Sequence, residues 1–490
     1  MYLGVDCGTQ GTKVVVVDSQ QHKVLGSGYA IHQLIENSAG RREQAPDWWI
    51  TAFKSAFYDA VKQAGIQPHF IRGISISGQQ HGLVVLDKND QPLYNAKLWC
   101  DTETAAENAE ILTLLGGDQG CFERLGIVCQ TGYTASKIFW LRKHQPEIYR
   151  QIDKIMLPHD YLNYWLTGNF CTEYGDASGT GYFDVVRRCW DEGVLHLVAP
   201  EKHLKNLPHL VASDQILGTV KPDVAQQLGL AGNVIVASGG GDNMMGAIGT
   251  GNIRQGIVTM SLGTSGTLYA YSNRPLSDLP PMIANFCSSS GGWLPLVCTM
   301  NVTSANKNLM QLLDINVSGF NELVQQAVIG ADGVTILPFF NGERVPALPN
   351  SKAAILGLDG GNFTRANLSR AMMESASFTL RYGLDLFEQA GLAATEIRLI
   401  GGGAKSAVWR QMIADIMNVN VVCLVEEEAA ALGAAIQAMW ADKQASLTEL
   451  CQTFVHLSEV TRTAPIAVHV TQYRQVYQRY REHLKMQYSV

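Results

Sequence analysis

Short β-branched runs alternate with turns over the first thirty residues. LGVD and KVVVVD flank the turn CGTQGT at residues 7 to 12, and KVLGSGYA follows at 23 to 30. Two such runs joined by a short glycine-containing loop predict a hairpin, with the third run as a strand beside it. The period then changes: in PDWWITAFKSAFYDAVKQAG, Trp49, Phe53, Phe57 and Val61 recur every fourth residue. That spacing predicts an amphipathic helix, with Asp47 as N-cap and Gly65 just past its end. IRGISISG at 71 to 78 is the next predicted strand, giving the order β-β-β-α-β.

Residues 256 to 272, GIVTMSLGTSGTLYAYS, repeat that opening with GTSGT in place of GTQGT. WLPLV at 293 to 297 predicts a third strand, a helix begins near Thr303, and VTILPFF at 334 to 340 predicts a fourth strand. A long helix from Asn367 to Ala390, strand EIRLI, a helix from Ser406 with Trp409, Met412, Ile413 and Ile416 on one face, strand VVCLV and helix EEEAAALGAAIQAMW complete the chain's pattern. Chance readily supplies one Gly/Thr turn, but not two that open similar series of elements. The pattern predicts two similar α/β domains facing each other, 1–247 and 248–490.

Composition narrows the function. The 490 residues exceed one hydrophobic core, and with 46% hydrophobic and 17% charged residues the chain is globular. A net charge of −7 without a Lys/Arg cluster excludes a grip on a nucleic-acid backbone, while backbone amides can still hold small anions. Ten cysteines without CxxC spacing predict neither a zinc site nor a disulfide framework, but free thiols in a reducing cytosol. MYLGVDCGT lacks a signal-like apolar region and no run is long enough to span a bilayer, so a soluble cytoplasmic protein with no membrane partner is expected.

The turns suggest the chemistry. Successive N–H groups of Gly8, Thr9, Gln10, Gly11 and Thr12, and of Gly263 and Thr264, can form concavities for phosphate oxygens. Hydroxyls of Thr9, Thr12, Thr264 and Thr267 could add donors, and two opposed hairpins could clamp one polyphosphate. Asp6 precedes the first turn where Ser261 precedes the second. Asp6 is therefore a candidate Mg²⁺ ligand, or alternatively a cap for its own turn. Lys13 is either a point charge for phosphate or a solvated hairpin lysine. GGGAKS at 401 to 406 follows a strand and opens a helix, so Gly402, Gly403 and Ser406 could seat adenosine, although the string is not a P-loop. In SGGGDNMMG, after the buried run VIVA, Asp242 is either a general base at a strand end or the N-cap of a short helix whose Met244 and Met245 belong to the core.

Taken in order, DCGTQGTK, SGQQHG, LWCDTE, GYTASKIFWLRKH, SGGGDN, SLGTSGT, NGERVP, AAILGL with NLSRAMME, GGGAKS and EEEAAALGAA resemble the FGGY carbohydrate kinases. These belong to the actin-like, ribonuclease-H-like ATPase superfamily, and the resemblance covers nearly the whole chain. It implies two actin-like/ribonuclease-H-like ATPase domains with a nucleotide cleft between them. It further implies ATP and Mg²⁺ as cofactors, a homodimer, and phosphoryl transfer to the terminal hydroxyl of a pentulose. Asp242 becomes the general base and Asp6 the metal residue. Gln80, His81 and Asn243 become sugar contacts, with Trp99 and Asp101 as further candidates. Glu343 and Arg344 are expected to pair structurally, and His159 to be structural. Val345 stands where the family commonly has threonine, and Cys7 where it commonly has leucine; a Cys7 thiol beside the cleft predicts alkylation sensitivity that ATP relieves. A nucleotide switch acting on a protein partner could share such a cleft, but SGGGDN, GQQHG and the two signature stretches favour the kinase.

Overall fold

Both glycine hairpins form, each within a seven-stranded sheet. The computed structural model describes residues 1–277, 280–340 and 342–490; Asp278, Leu279 and Asn341, the first residue of NGERVP, lie outside the described residues. In the first sheet, Lys23–Ile31, Gly11–Asp18, Tyr2–Cys7, Gly73–Gly78, Ile235–Ala237 and Ile216–Thr219 are successive neighbours. Their pairings run antiparallel, antiparallel, parallel, parallel, antiparallel. In the second sheet, Trp293–Thr299, Gly266–Ala270, Ile257–Leu262, Glu396–Ile400, Asn420–Leu424 and Leu457–Thr463 repeat that series of directions. Ala284–Cys287 adds one further edge strand.

The amphipathic helix forms as Pro46–Ala64, its Trp49, Phe53 and Phe57 fully buried against the first sheet, and Gly65 closes it in the left-handed conformation at φ 66°. Its start differs from expectation. Ala45 is the N-cap and Pro46 takes the first turn, so Asp47 lies inside the helix and accepts a hydrogen bond from the Tyr161 hydroxyl at 3.0 Å. VTILPFF also differs: only Thr335–Leu337 is strand, and it pairs with Ala354–Leu356 in a small separate sheet. The strand that follows Trp293–Thr299 in the second sheet along the chain is EIRLI, and it pairs with Ile257–Leu262.

Two helices join the sheets. Ala429–Ala441, from the C-terminal half, lies on the first sheet so closely that a Cβ on Gly4 would come within 1.8 Å of the Ala431 carbonyl oxygen. Asp242–Gly249 leads into the second sheet, where the Thr250 and Thr259 hydroxyls meet at 2.8 Å and Asn252 donates to the Tyr269 carbonyl at 2.9 Å. The two helices touch backbone to backbone, since a Cβ on Gly433 would lie 1.9 Å from the Met245 carbonyl oxygen. Met244 and Met245 are fully buried, as expected of core residues.

Candidate active site

The backbone around Asp242 is fixed before its side chain is placed. Gly239 takes φ 72°, and Gln437, buried in the Ala429–Ala441 helix, accepts from the Gly239 N–H at 2.9 Å and donates to its carbonyl at 2.9 Å. The same Gln437 accepts from the Ser75 hydroxyl at 2.6 Å, so one amide ties the glycine turn to the neighbouring strand. Gly240 and Gly241 then pair with Ser77 and Gly78, and Gly241 rather than Asp242 is the N-cap of the helix Asp242–Gly249. Asp242 Oδ1 accepts from the Asn243 N–H at 2.8 Å and from Asn243 Nδ2 at 2.9 Å; Asn243 Nδ2 also donates to Gln80 Oε1 at 2.9 Å. Gln80 Nε2 is buried without a hydrogen-bond partner among the described residues. Burial pushes the Asp242 carboxyl up to about 7, with the charges of Asp6 and Asp176 adding to it.

Asp6 comes from the adjacent strand. Burial pushes it up to about 6, against the lowering effect of the Ser77 hydroxyl, which donates to Asp6 Oδ1 at 2.7 Å; Glu428 raises it further. In the turn that follows, the Gly8 N–H donates to the Gly11 carbonyl at 3.0 Å. The Thr9 hydroxyl gives its proton to Gln79 Oε1 at 3.0 Å and accepts from Trp99 Nε1 at 2.9 Å. The Thr12 hydroxyl pairs with His32 Nε2 at 2.9 Å. Both threonine hydroxyls and the Gly8 N–H are thus occupied within the protein. Gln10 is exposed, and Lys13 forms an ion pair with Glu428 of the C-terminal half at 2.8 Å.

The second turn is braced from behind. The Gly263 carbonyl accepts from the Thr303 N–H at 3.0 Å and hydroxyl at 2.8 Å, and the Thr264 carbonyl accepts from the Ser304 hydroxyl at 2.9 Å. GGGAKS forms a tight 3₁₀ turn, Gly402–Lys405, leading into the helix Ala407–Met417. Gly402 faces open space, whereas Gly403 packs against Leu262 and Trp409. Ser406 caps that helix by accepting from the Trp409 N–H at 3.2 Å, and gives its proton to Asn321 Oδ1 at 3.0 Å.

A cavity of about 720 Å³ lies between the two halves; residues 8–13, Gly263, Thr264, Gly402, Gly403 and Ser406 are not on its wall. Asp6, Gln80, His81, Trp99, Asp242 and Asn243 line it from the N-terminal half, and Ser261, Thr267, Arg344 and Gly401 from the C-terminal half. His81 takes a left-handed backbone, φ 63°, with its carbonyl accepting from Lys137 Nζ at 2.5 Å and from the Thr134 hydroxyl at 3.2 Å. Its ring stacks on Tyr133 at 4.4 Å. Burial, then the Lys137 charge, depresses the imidazole to about 3, so it is neutral; with Nδ1–H donating to the Gly179 carbonyl at 3.0 Å, Nε2 is the acceptor.

Three expectations change. Asp101 is not on the cavity wall: it is fully buried, accepting from the Arg42 and Glu103 N–H groups at 2.9 and 3.1 Å and from Lys97 Nζ at 3.2 Å. Glu343 and Arg344 do not pair through their side chains. Glu343 holds the Met300 N–H at 2.6 Å and Asn301 Nδ2 at 3.0 Å, while Arg344 lines the cavity with Cys298 Sγ 3.9 Å from Nη1. Cys7 is fully buried in the core beneath the first sheet, and burial pushes its thiol up, so it is neither accessible nor reactive. Arg344 and Gln437 are the residues sequence reasoning missed. Arg344 could have been found as a cation in a matching motif, whereas Gln437 in an alanine-rich helix carried no signal. His159 is fully buried and bonded to Asp176 at 2.5 Å, as a structural histidine should be.

The cavity is thus walled by Asp6 ahead of the first glycine turn, by Ser261, Ser265 and Thr267 of the second hairpin, and by the half-buried Asp242 at the end of a strand. The model of the FGGY family of carbohydrate kinases, N-terminal domain, matches residues 1–249, and that of the C-terminal domain matches residues 258–441, so the chain belongs to this family. The chain is 65% identical to the xylulose kinase of Haemophilus influenzae, with all of both chains covered. It is 33% identical to the xylulose kinase of Escherichia coli over 98% of this chain and 99% of that one. The crystal structure of a xyloylose kinase from Brucella ovis superimposes with a TM-score of 0.92 at 28% identity, covering 100% of this chain and 99% of that one. FGGY kinases use ATP. Among the described residues, no helix is long and apolar enough to cross a membrane.

Proposed function

We propose that the chain transfers the γ-phosphoryl group of ATP to O5 of D-xylulose, giving D-xylulose 5-phosphate. The observation that carries the reaction type is the half-buried Asp242, bonded through Asn243 to Gln80 on the wall of a cavity shared by both halves. The full-length xylulose kinase relatives support the sugar.

On this reading Asp242 accepts the proton of the attacking hydroxyl, and a carboxyl near pH 7 suits a base working at neutral pH. Asn243 keeps the carboxylate aimed. Gln80 Nε2 is a donor without a partner among the described residues and His81 Nε2 an acceptor, so the pair matches sugar hydroxyls, which need both. The amides of residues 9–12 and of Gly263 and Thr264 cradle the phosphates, and Gly402 and Gly403 lie along the adenosine. Phosphoryl transfer asks for positioning and charge neutralisation more than covalent help. Asp6 fits Mg²⁺: it is a desolvated carboxylate beside Glu428 in an oxygen-only donor set, as a hard cation prefers. Mg²⁺ held there would neutralise charge on the phosphates. The division at residue 248 gives two domains that close on the substrates, and we place the enzyme in the cytosol as a homodimer that binds no nucleic acid.

A coupled ATP assay with D-xylulose, D-ribulose, L-ribulose and glycerol, with product position read by NMR, tests the proposal. It predicts the highest kcat/KM for D-xylulose and phosphate on O5. Preference for another polyol would overturn the substrate. ATP turnover indifferent to every polyol would overturn the kinase and favour a nucleotide switch.

A further inference from the structure

Outside the cleft, Glu192, His196 and His203 converge on one point. Glu192 and His196 lie one turn apart on the short helix Glu192–Val198, and His203 precedes the 3₁₀ turn Leu204–Asn206. His196 Nε2 and His203 Nδ1 are 3.2 Å apart, and Glu192 Oε1 is 3.8 Å from each. As a hydrogen-bonded group this is poorly explained: two ring nitrogens can share one proton, but the carboxylate is then out of hydrogen-bond reach of both. As a ligand set it is nearly complete. Zinc bonds of about 2.0–2.1 Å in a tetrahedron place ligand atoms about 3.3–3.4 Å apart, close to all three separations.

The backbone that carries the three residues is fixed. Asp191 receives both Nε and Nη2 of Arg124, at 2.8 and 2.9 Å, and caps the helix. Val194, Leu195 and Val198 are buried beneath it, and Arg142 donates to the Val198 carbonyl at 3.2 Å at its far end. Lys202 Nζ is tied to the Ile152 carbonyl at 2.7 Å, and Asn206 Oδ1 accepts from the His203 N–H at 3.0 Å. The three side chains remain partly exposed, at 44, 40 and 53%, so an ion can reach them.

We propose that Glu192, His196 and His203 form a surface site for a divalent transition ion of the zinc class, bound through His196 Nε2, His203 Nδ1 and Glu192 Oε1. Two imidazoles and one carboxylate select zinc, cobalt, nickel or copper over magnesium, which prefers oxygen and octahedral geometry. The fourth position is open to solvent, where water or a donor from another molecule completes the tetrahedron. Binding to the folded chain alone raises its stability in proportion to free metal.

The test uses untagged, chelator-treated full-length protein, titrated with Zn²⁺ by calorimetry and with Co²⁺ by visible absorption. We expect one equivalent bound with a tetrahedral cobalt spectrum, not displaced by excess Mg²⁺. We expect at least about a tenfold loss of affinity in both His196→Ala and His203→Ala. Glu192→Gln should lose less. Unfolding temperature and sugar phosphorylation without zinc should match the parent in each variant, which separates the site from folding and from the cleft. Zinc bound equally well by parent and both histidine variants, or no binding by the parent, overturns the proposal.

Discussion

The two glycine hairpins share one register and differ in what they deliver. Asp6 stands opposite Lys13 and Ser261 opposite Thr267, each pair one step back from the last pair before its turn. The glycine hairpin is therefore duplicated, while the carboxylate is not. Their supports differ as well. The first turn is held by side chains of its own half, Gln79, Trp99 and His32, and the second by the start of the helix Thr303–Leu313. Amides suffice wherever a phosphate only needs holding, but metal and proton need a carboxylate. On the proposed function the charged work accordingly gathers on one side, where the charge of Asp6 raises the proton affinity of Asp242.

Removing Asp242, the proposed base, should have the largest effect. Asp242→Ala is expected to lower kcat by roughly 10³- to 10⁴-fold while a nucleotide analogue still binds by calorimetry. The hairpins can then be set against each other directly. Asp6→Ala is expected to lose roughly 10²- to 10³-fold in kcat with a raised Mg²⁺ requirement, and Ser261→Ala less than about tenfold. Equal losses in steady-state assays would erase the asymmetry. The pH profile follows from the same acids. Asp242 works as a base only when deprotonated, so kcat/KM should fall about tenfold per pH unit below about 7. Protonation of Asp6 should steepen the fall below about 6.

Stability runs the other way. Burial raises the folded-state pKa of Asp242, so the folded form binds its proton more tightly and stability is lost as pH rises from about 4 to about 7. Asp242→Asn should therefore raise the Tm of the unliganded protein at pH 8 and change it little at pH 4. The gain should be at most about 4 kcal/mol, the rise from 3.8 to about 7 taken at about 1.4 kcal/mol per pH unit. Smallest of all, Ser406→Ala should cost about 1 kcal/mol as a lost helix cap and leave the KM for ATP nearly unchanged.

Both hairpins, the helix at residue 46 and the repeat itself were legible because hydrophobic period and glycine turns are local signals. VTILPFF misled for the same reason: apolar periodicity marks a strand without naming its sheet. In the cleft, Asp6 at the end of a strand and Gln80, His81, Asp242 and Asn243 just after strands could be picked out because each sits in a short motif that resembles the family's. Asp101 shared a motif with Trp99 but faces inward to Lys97, an orientation set by the turn between them rather than by residue type. Cys7 failed likewise, since successive strand residues point to opposite faces and its neighbour Asp6 takes the cleft side. Gln437 was beyond sequence reach, because its partners Ser75, Ser238 and Gly239 lie in the other half of the chain.

The most direct test of the account is hydrogen exchange by mass spectrometry, with and without a non-hydrolysable ATP analogue and Mg²⁺, on peptides spanning residues 8–12 and 263–266. One triphosphate gripped by both turns predicts slowed exchange in both peptides at the same analogue concentration. Slowing in only one of them, with the analogue fully bound, would contradict it.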